Sequence, residues 1–128
     1  MVDHLIEAAR GAQQQAYCPY SKYRVGAALE AEDGSIFLGC NVENASYGLT
    51  NCAERTAVFA AVSAGARRFR RIVVATDSDP PGPPCGACRQ VLAEFGLELE
   101  VLSVGPKQSK RWRVGELLPD AFSKEILR

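Results

Sequence analysis

Two short motifs, Cys52-Ala53-Glu54 and Pro84-Cys85-Gly86-Ala87-Cys88, constrain this chain more than any other feature. They supply three thiolates, whereas a structural zinc site usually has four protein ligands and a catalytic zinc site keeps one position for water. Glu54, two residues after the first cysteine, is then available as a base. The pattern predicts metal-assisted hydrolysis, and it requires a fold that brings both motifs together.

Chain length and charge predict how many domains the chain forms and which class of partner it binds. The 128 residues are 47% hydrophobic, which predicts one catalytic domain over residues 1–128 with a single core. Fifteen basic and fifteen acidic side chains cancel, so no net charge attracts a phosphate backbone or an anionic membrane. We expect a small-molecule ligand, with neither nucleic acid nor a membrane as a partner.

Cysteine usage and the first residues of the chain indicate the compartment. The five cysteines are odd in number, and residues 1–16 have neither a basic n-region nor an apolar h-region. No apolar run approaches the roughly 20 residues of a membrane-spanning helix. We expect free thiols in a reducing, cytoplasmic environment.

The pattern of apolar residues predicts an α/β protein. A helix follows Asp3, its expected N-cap, and ends before Cys18. The further expected elements are paired strands at 25–31 and 36–42, a helix at 52–64, a strand at 71–76, an irregular loop at 77–84, a helix from 85 to 95, strands within 97–104 and at 112–114, and a helical turn at 116–118. This order predicts a three-layer α-β-α sandwich around a mixed five-stranded sheet.

Both cysteine motifs are expected to open helices, where free N–H groups and the dipole favour thiolates. Cys85 and Cys88 lie one turn apart and Cys52 comes from another helix, so all three sulfurs can reach one ion. Zinc with three thiolates carries a net charge of minus one. We expect Arg55 and Arg89, which directly follow the motifs, to offset that charge through hydrogen bonds to sulfur.

Non-catalytic interpretations compete with this one. A C-x-x-C pair alone is more typical of a redox motif or of half a structural zinc site. A zinc ribbon would need a fourth ligand, but Cys18 and Cys40 are not in C-x-x-C pairs and His4 is expected to be a solvated helix residue. A zinc-stabilised binding module, with Glu54 as an ordinary helix-start residue, is the alternative from a different class.

Five longer segments carry a resemblance to a known family. They are Tyr17–Ala28, Gly39–Tyr47, Cys52–Thr56, Pro84–Gln90 and Leu117–Pro119. Together they resemble cytidine deaminase, the short homotetrameric type of the cytidine/deoxycytidylate deaminase family. The resemblance implies one zinc ion per subunit, a cytidine deaminase-like fold, and hydrolytic deamination of cytidine and deoxycytidine to uridine and deoxyuridine in pyrimidine salvage.

The same resemblance implies a role for each matching residue. A zinc-bound hydroxide attacks C4 of the base while Glu54 shuttles protons. Asn41 and Glu43 bind the ribose hydroxyls, and Ala53 lies at the substrate. Tyr47 reaches a neighbouring subunit's site.

Two aromatic residues are also expected to contact substrate. Phe122 matches a C-terminal aromatic residue that stacks on the base from another subunit. Tyr23 lies in the segment that lines the pyrimidine pocket, where the family usually has Phe, so the ring is kept and a hydroxyl is added. If the ring faces the base, that hydroxyl needs a partner or water, which can alter substrate preference. The alternative is a pocket-edge tyrosine with its hydroxyl in solvent.

Two other deaminase classes share this zinc core. A blasticidin-type enzyme is disfavoured by the Asn-Val-Glu-Asn-Ala-Ser-Tyr stretch at 41–47, from which that type departs. A nucleic-acid editor is disfavoured by charge. The one basic cluster, 67–71, connects a helix to a buried strand, so we expect a solvated surface rather than a nucleic-acid track.

Overall fold

A five-stranded sheet forms the middle of this protein in a computed structural model that describes residues 2–127. The strands are β1 (Gly26–Ala31), β2 (Ile36–Cys40), β3 (Phe69–Ala75), β4 (Glu100–Val104) and β5 (Ser109–Arg113). Their order is β2-β1-β3-β4-β5, with β3 and β4 parallel and the other neighbours antiparallel. The predicted mixed sheet is confirmed.

Helices cover both faces of the sheet. They are α1 (Asp3–Gln13), α2 (Ala53–Ser63), α3 (Gly86–Ala93) and the short α4 (Val114–Leu117), with 3₁₀ turns at Tyr47–Leu49 and Lys124–Leu127. Successive residues of a strand point to opposite faces, so Val73 of β3 packs with α1, whereas Ile72 and Val74 pack with α2 and α3. This arrangement confirms the three-layer sandwich.

The ends of several elements differ from the sequence prediction. Asp3 is the first residue of α1 rather than its cap, since Val2 occupies the N-cap position. The fifth strand begins at Ser109, earlier than predicted, and is exposed at the edge of the sheet. An exposed edge strand buries few side chains, so it leaves little apolar alternation in the sequence. Gly65 ends the second helix with φ +96°, as its expected C′ role requires.

Close contact at one glycine fixes the position of α2 on the sheet. A Cβ atom at Gly39 would lie 2.4 Å from the backbone nitrogen of Ala57 and 2.5 Å from the carbonyl oxygen of Ala53. The backbone of β2 therefore touches the first two turns of α2. Those turns carry Glu54, so the glycine sets the depth at which this carboxyl is buried.

We expect Gly39→Ala to lower the free energy of unfolding by about 1–3 kcal/mol, because the added methyl group meets backbone atoms that cannot rotate away. Denaturant unfolding measures this change. The matched control is Gly11→Ala in α1, where a Cβ meets nothing within 4 Å. We expect Gly11→Ala to stabilise the helix by roughly 0.5–1 kcal/mol. Similar effects at both positions would contradict the close-contact argument.

Candidate active site

Three cysteine sulfurs meet where two helices begin. Cys52 is the N-cap residue of α2, Cys85 is the N-cap residue of α3, and Cys88 follows within the first turn of α3. The Sγ atoms of Cys52 and Cys85 are 3.7 Å apart, and those of Cys85 and Cys88 are 3.4 Å apart. All three lie within 4.8 Å of one another. The fold thus brings together the three thiols that the sequence selects.

This spacing fits one tetrahedral metal ion. Zinc–sulfur bonds of about 2.3 Å at tetrahedral angles separate the sulfurs by about 3.8 Å, whereas a disulfide requires about 2.05 Å. Among residues 2–127, no fourth Cys, His, Asp or Glu side chain belongs to the cluster. Three thiolates suit zinc, and a tetrahedral ion held by them keeps one position for water.

The close approach of the thiols and of one arginine alters the acidity of the cysteines. The pKa of Cys52 is lowered to about 5, first by a hydrogen bond from the Cys88 thiol and then by Arg55. The same hydrogen bond, together with burial, raises the pKa of Cys88. The Arg55 guanidinium Nη2 lies 3.3 Å from Cys52 Sγ, and its buried Nε has no hydrogen-bond partner within the described residues. The geometry predicted for Arg55 is therefore present.

The arginine of the second motif has a different position from the one expected. Arg89 donates from Nε to the Pro84 carbonyl at 2.7 Å and from Nη1 to the Leu117 carbonyl at 2.8 Å. The expected hydrogen bond to sulfur is thus replaced by two bonds to carbonyl oxygens, because the guanidinium lies between the loop before Cys85 and α4. Arg89 holds the start of α3 in place.

Glu54 lies beside the sulfur cluster with its side chain almost fully enclosed. It is the second residue of α2 and is 6% exposed. The pKa of its carboxyl is raised to about 7, mainly by burial and also by the Cys52 thiolate, while a backbone hydrogen bond and Arg55 act in the opposite direction. A carboxyl that changes charge near neutral pH can both accept and return a proton.

A cavity of about 290 Å³ opens onto this carboxyl at the end of β3. The volume is close to the lower limit of small-molecule sites. Four of the residues that the sequence places at the substrate line it, namely Tyr23, Asn41, Glu43 and Ala53. The other lining residues are Ser21, Val25, Thr50, Cys52, Glu54, Val74, Thr76, Gly82, Pro83 and Cys85.

The amide of Asn41 already holds one wall of this cavity. Its Oδ1 accepts from the backbone nitrogen of Val25 at 2.9 Å, and its Nδ2 donates to the carbonyl of Tyr23 at 2.8 Å. An amide offers two donors and two acceptor sites, so one of each is left. Asn41 can therefore position the wall and still contact a ligand.

Glu43 fixes the neighbouring part of the same wall. Its carboxylate accepts hydrogen bonds from the backbone nitrogens of Tyr20 and Ser21 and from the Ser21 hydroxyl. The hydroxyl bond is the main cause that lowers the pKa of Glu43. Glu43 is thus a carboxylate at the mouth of the cavity, with acceptor capacity for a sugar hydroxyl.

Two residues expected at the substrate lie outside this cavity. Tyr47 is 77% exposed and lines an adjacent cavity with Tyr20 and Thr50. Phe122 is 60% exposed, and its carbonyl accepts from Gln90 Nε2. Both were expected to act on a neighbouring subunit, and those roles stay predictions.

Sequence analysis did not select every residue of the cavity. Thr76 is 5% exposed and directly follows β3. A polar residue at the carboxyl end of a parallel strand is a usual position for a ligand contact, so this signal was available. Ser21 and its partner Glu43 lie 22 residues apart in the chain. Only folding shows that they pair.

Comparison with known proteins agrees with this geometry. The model of the cytidine and deoxycytidylate deaminase zinc-binding region matches residues 2–103. The chain is 53% identical to the cytidine deaminase of Sporosarcina psychrophila, over 98% of this chain and 94% of that protein. The crystal structure of cytidine deaminase from Burkholderia pseudomallei superposes with a TM-score of 0.89 at 53% identity, covering 95% of this chain and 100% of that one. The crystal structure of cytidine deaminase from Mycobacterium tuberculosis superposes with a TM-score of 0.80 at 45% identity, covering 94% of this chain and 95% of that one.

We expect Arg55→Ala to weaken zinc binding by about 10- to 100-fold, since it removes a cation that is hydrogen-bonded to a ligand sulfur. Competition with a chromophoric chelator measures this affinity. Arg55→Lys keeps the charge but not the planar fork, so its zinc affinity is expected to lie between those of wild type and Arg55→Ala. The exposed Arg111→Ala serves as the control for loss of a positive charge. Wild-type zinc affinity in Arg55→Ala would contradict the compensating role.

Proposed function

This chain belongs to the cytidine and deoxycytidylate deaminase family and is a zinc-dependent enzyme of the cytidine deaminase type, and we propose that its site deaminates cytidine and deoxycytidine to uridine and deoxyuridine. One observation supports this proposal above the others. The buried Glu54 and two cysteines of the sulfur cluster, Cys52 and Cys85, line the same cavity. A water molecule and a proton carrier can therefore meet at one point of a bound ligand.

Cys52, Cys85 and Cys88 would hold the zinc ion, which when bound lowers the pKa of water and so makes it a nucleophile at neutral pH. Arg55 offsets the charge of the thiolates through its contact with Cys52. Burial of Glu54 excludes bulk water from the carboxyl. These residues prepare the site before substrate arrives.

Glu54 moves each proton of the reaction. It accepts one proton from the attacking water and delivers it to N3 of the pyrimidine, while the water oxygen bonds to C4. It then transfers the second proton of that water to the exocyclic amine. The C4–N bond breaks with its electron pair on nitrogen, ammonia leaves, and the proton at N3 remains in the uridine product.

The sugar would lie against the wall that Asn41 and Glu43 build. The amide retains one donor and one acceptor, and the carboxylate can accept from a ribose hydroxyl. Tyr23 and Ala53 then border the space for the base. The cavity mouth carries a carboxylate, which suits an uncharged nucleoside.

We expect Glu54→Gln to lower kcat for cytidine by at least 10²- to 10⁴-fold, because the amide cannot carry the protons to N3 and to the amine. Ultraviolet absorbance and ammonia release measure turnover, and metal analysis shows whether zinc is retained. Glu7→Gln, an exposed change on α1, is the matched control and should have wild-type turnover. Substantial turnover in Glu54→Gln would overturn the assignment.

A substrate panel separates this function from its alternatives. Cytidine and deoxycytidine are compared with adenosine, with blasticidin and with single-stranded DNA. A binding module would turn over none of them despite bound zinc. The basic cluster gives little support to the nucleic-acid substrate, since Arg67 donates to the carbonyls of Val62 and Ala66 and Arg71 pairs with Glu30 at 3.3 Å.

The functional unit that we propose is a homotetramer whose sites are completed by neighbouring subunits, each chain acting as one catalytic domain. Its support is the exposure of large aromatic side chains, of which Tyr20 and Tyr47 line a cavity adjacent to the site. Tyr47 and Phe122 are both mostly exposed, and Tyr20 packs edge-on against Tyr47 at 6.3 Å. Exposed aromatic residues of this kind are typical of contact surfaces.

Subunit complementation tests this arrangement. We expect Phe122→Ala and Glu54→Gln to be weakly active alone and to regain activity when the two chains are co-expressed. In the mixed assembly, a subunit with intact Glu54 receives Phe122 from its neighbour. Activity is measured on hybrids isolated by two affinity tags. Hybrids no more active than the average of the parents would show that Phe122 does not act across subunits.

The cellular setting is a further part of the proposal. The odd number of cysteines, all of them free in the structure, supports a reducing, cytoplasmic location. The proposed conversion of cytidine to uridine would give the protein a role in pyrimidine salvage. Within the described residues, no helix has the length and apolar composition needed to cross a membrane.

A further inference from the structure

Two segments far apart in the chain each line part of the cavity, and we call them its first and second walls. One is the segment 21–25, which contributes Ser21, Tyr23 and Val25. The other runs from the end of β3 to the start of α3 and contributes Thr76, Gly82, Pro83 and Cys85, among others. The position of one wall relative to the other therefore affects the shape of the space for a ligand.

A group of side chains connects the walls. The Tyr23 hydroxyl lies 2.8 Å from Ser78 Oγ. The next residue in each segment pairs as well, since the backbone nitrogen of Arg24 donates to Asp77 Oδ2 at 2.8 Å. Gln13, which is 5% exposed, donates from Nε2 to Asp77 Oδ1 at 3.0 Å and to the Arg24 carbonyl at 3.1 Å. A buried amide thus fixes the pair of segments from the α1 side.

The Tyr23 hydroxyl is consequently paired with a residue of the second wall. Tyr23 lines the cavity, whereas Ser78 does not. The hydroxyl therefore bonds to a residue that is not itself part of the cavity lining. This geometry answers the question raised by the added hydroxyl, because its partner is a side chain of the protein.

We propose that Tyr23 and Ser78 are paired positioning residues that hold the two walls of the nucleoside cavity at their working distance. This proposal depends on the proposed function, which makes a nucleoside the substrate. If the wall is already held in place, less conformational entropy is lost when the ligand binds. The pair would therefore strengthen binding of the substrate in its ground state. It touches neither the reacting atoms nor the sulfur cluster, so the chemical step should be unaffected.

Other contacts keep the rest of the loop in place when this bond is absent. Asp79 accepts from the backbone nitrogens of Lys107 and Gln108, and Arg89 holds the Pro84 carbonyl. The end of the loop next to Cys85 is therefore fixed independently. We expect loss of the Tyr23–Ser78 bond to loosen the wall without releasing zinc.

The test compares Tyr23→Phe, Ser78→Ala and the double variant of the full-length zinc enzyme. We expect each single variant to raise KM for cytidine about threefold to tenfold, the range expected for one hydrogen bond, with kcat and zinc content within twofold of wild type. Both changes remove the same short bond, and the other side-chain contact of Ser78 Oγ, with Thr76 Oγ1, is long at 3.4 Å. The double variant should therefore have a KM close to that of either single variant. Tyr17→Phe removes a hydroxyl from a 58% exposed tyrosine just before the wall and is the control.

Additive effects of the two changes, an unchanged KM, or a fall in kcat without a rise in KM would overturn the proposal.

Hydrogen exchange without substrate tests the pair separately from the reaction. Peptides covering 77–83 should exchange faster in Tyr23→Phe and Ser78→Ala than in wild type and Tyr17→Phe, and equal exchange would also overturn it. If wild type turned over no cytidine, the proposed function would fail, whereas the exchange comparison would still decide whether the bond holds the wall.

Discussion

The convergence of two helix N-termini on one point is the constraint on which the rest of this structure depends. Because β3 and β4 are parallel neighbours, the connection between them crosses one face of the sheet and places α3 beside α2. Cys52 and Cys85 cap these helices, so their sulfurs lie where free N–H groups and the helix dipoles favour negative charge. A three-thiolate metal site needs such compensation, and the backbone supplies part of it before any side chain contributes.

Packing of the same two helices also sets the chemistry of the acid–base group. Gly39 lets β2 approach the first turns of α2, and the core behind that contact leaves Glu54 only 6% exposed. Enclosure of the carboxyl raises its pKa toward neutrality, while the nearby thiolate acts in the same direction. Stability and reactivity are therefore coupled at this helix, since a change that loosened the packing would also admit water to the carboxyl and return its pKa toward the usual range.

Local patterns in the sequence predicted most of the elements, and the misses have identifiable causes. The Asp-Gly turn, the alanine-rich run after Cys52 and the stop at Gly65 are signals carried by neighbouring residues, and each was confirmed. The fifth strand starts earlier than expected because an exposed edge strand has little apolar alternation. Arg89 was expected at a sulfur, but adjacency in sequence does not fix the direction of a long side chain, and its guanidinium bonds carbonyl oxygens of the preceding loop and of α4 instead.

The sequence by itself determined the chemical identity of the site, because thiolates and a carboxylate at fixed spacing on two helix starts permit few geometries other than a three-sulfur metal centre beside a base. Only the tertiary structure decided which groups of distant segments form hydrogen bonds with each other. Glu43 bonds Ser21, Asn41 holds the backbone around Tyr23, and the Tyr23 hydroxyl meets Ser78, 55 residues away. A hydrogen bond depends on distances of a few tenths of an ångström, and such distances are set by how the whole sheet and its helices pack.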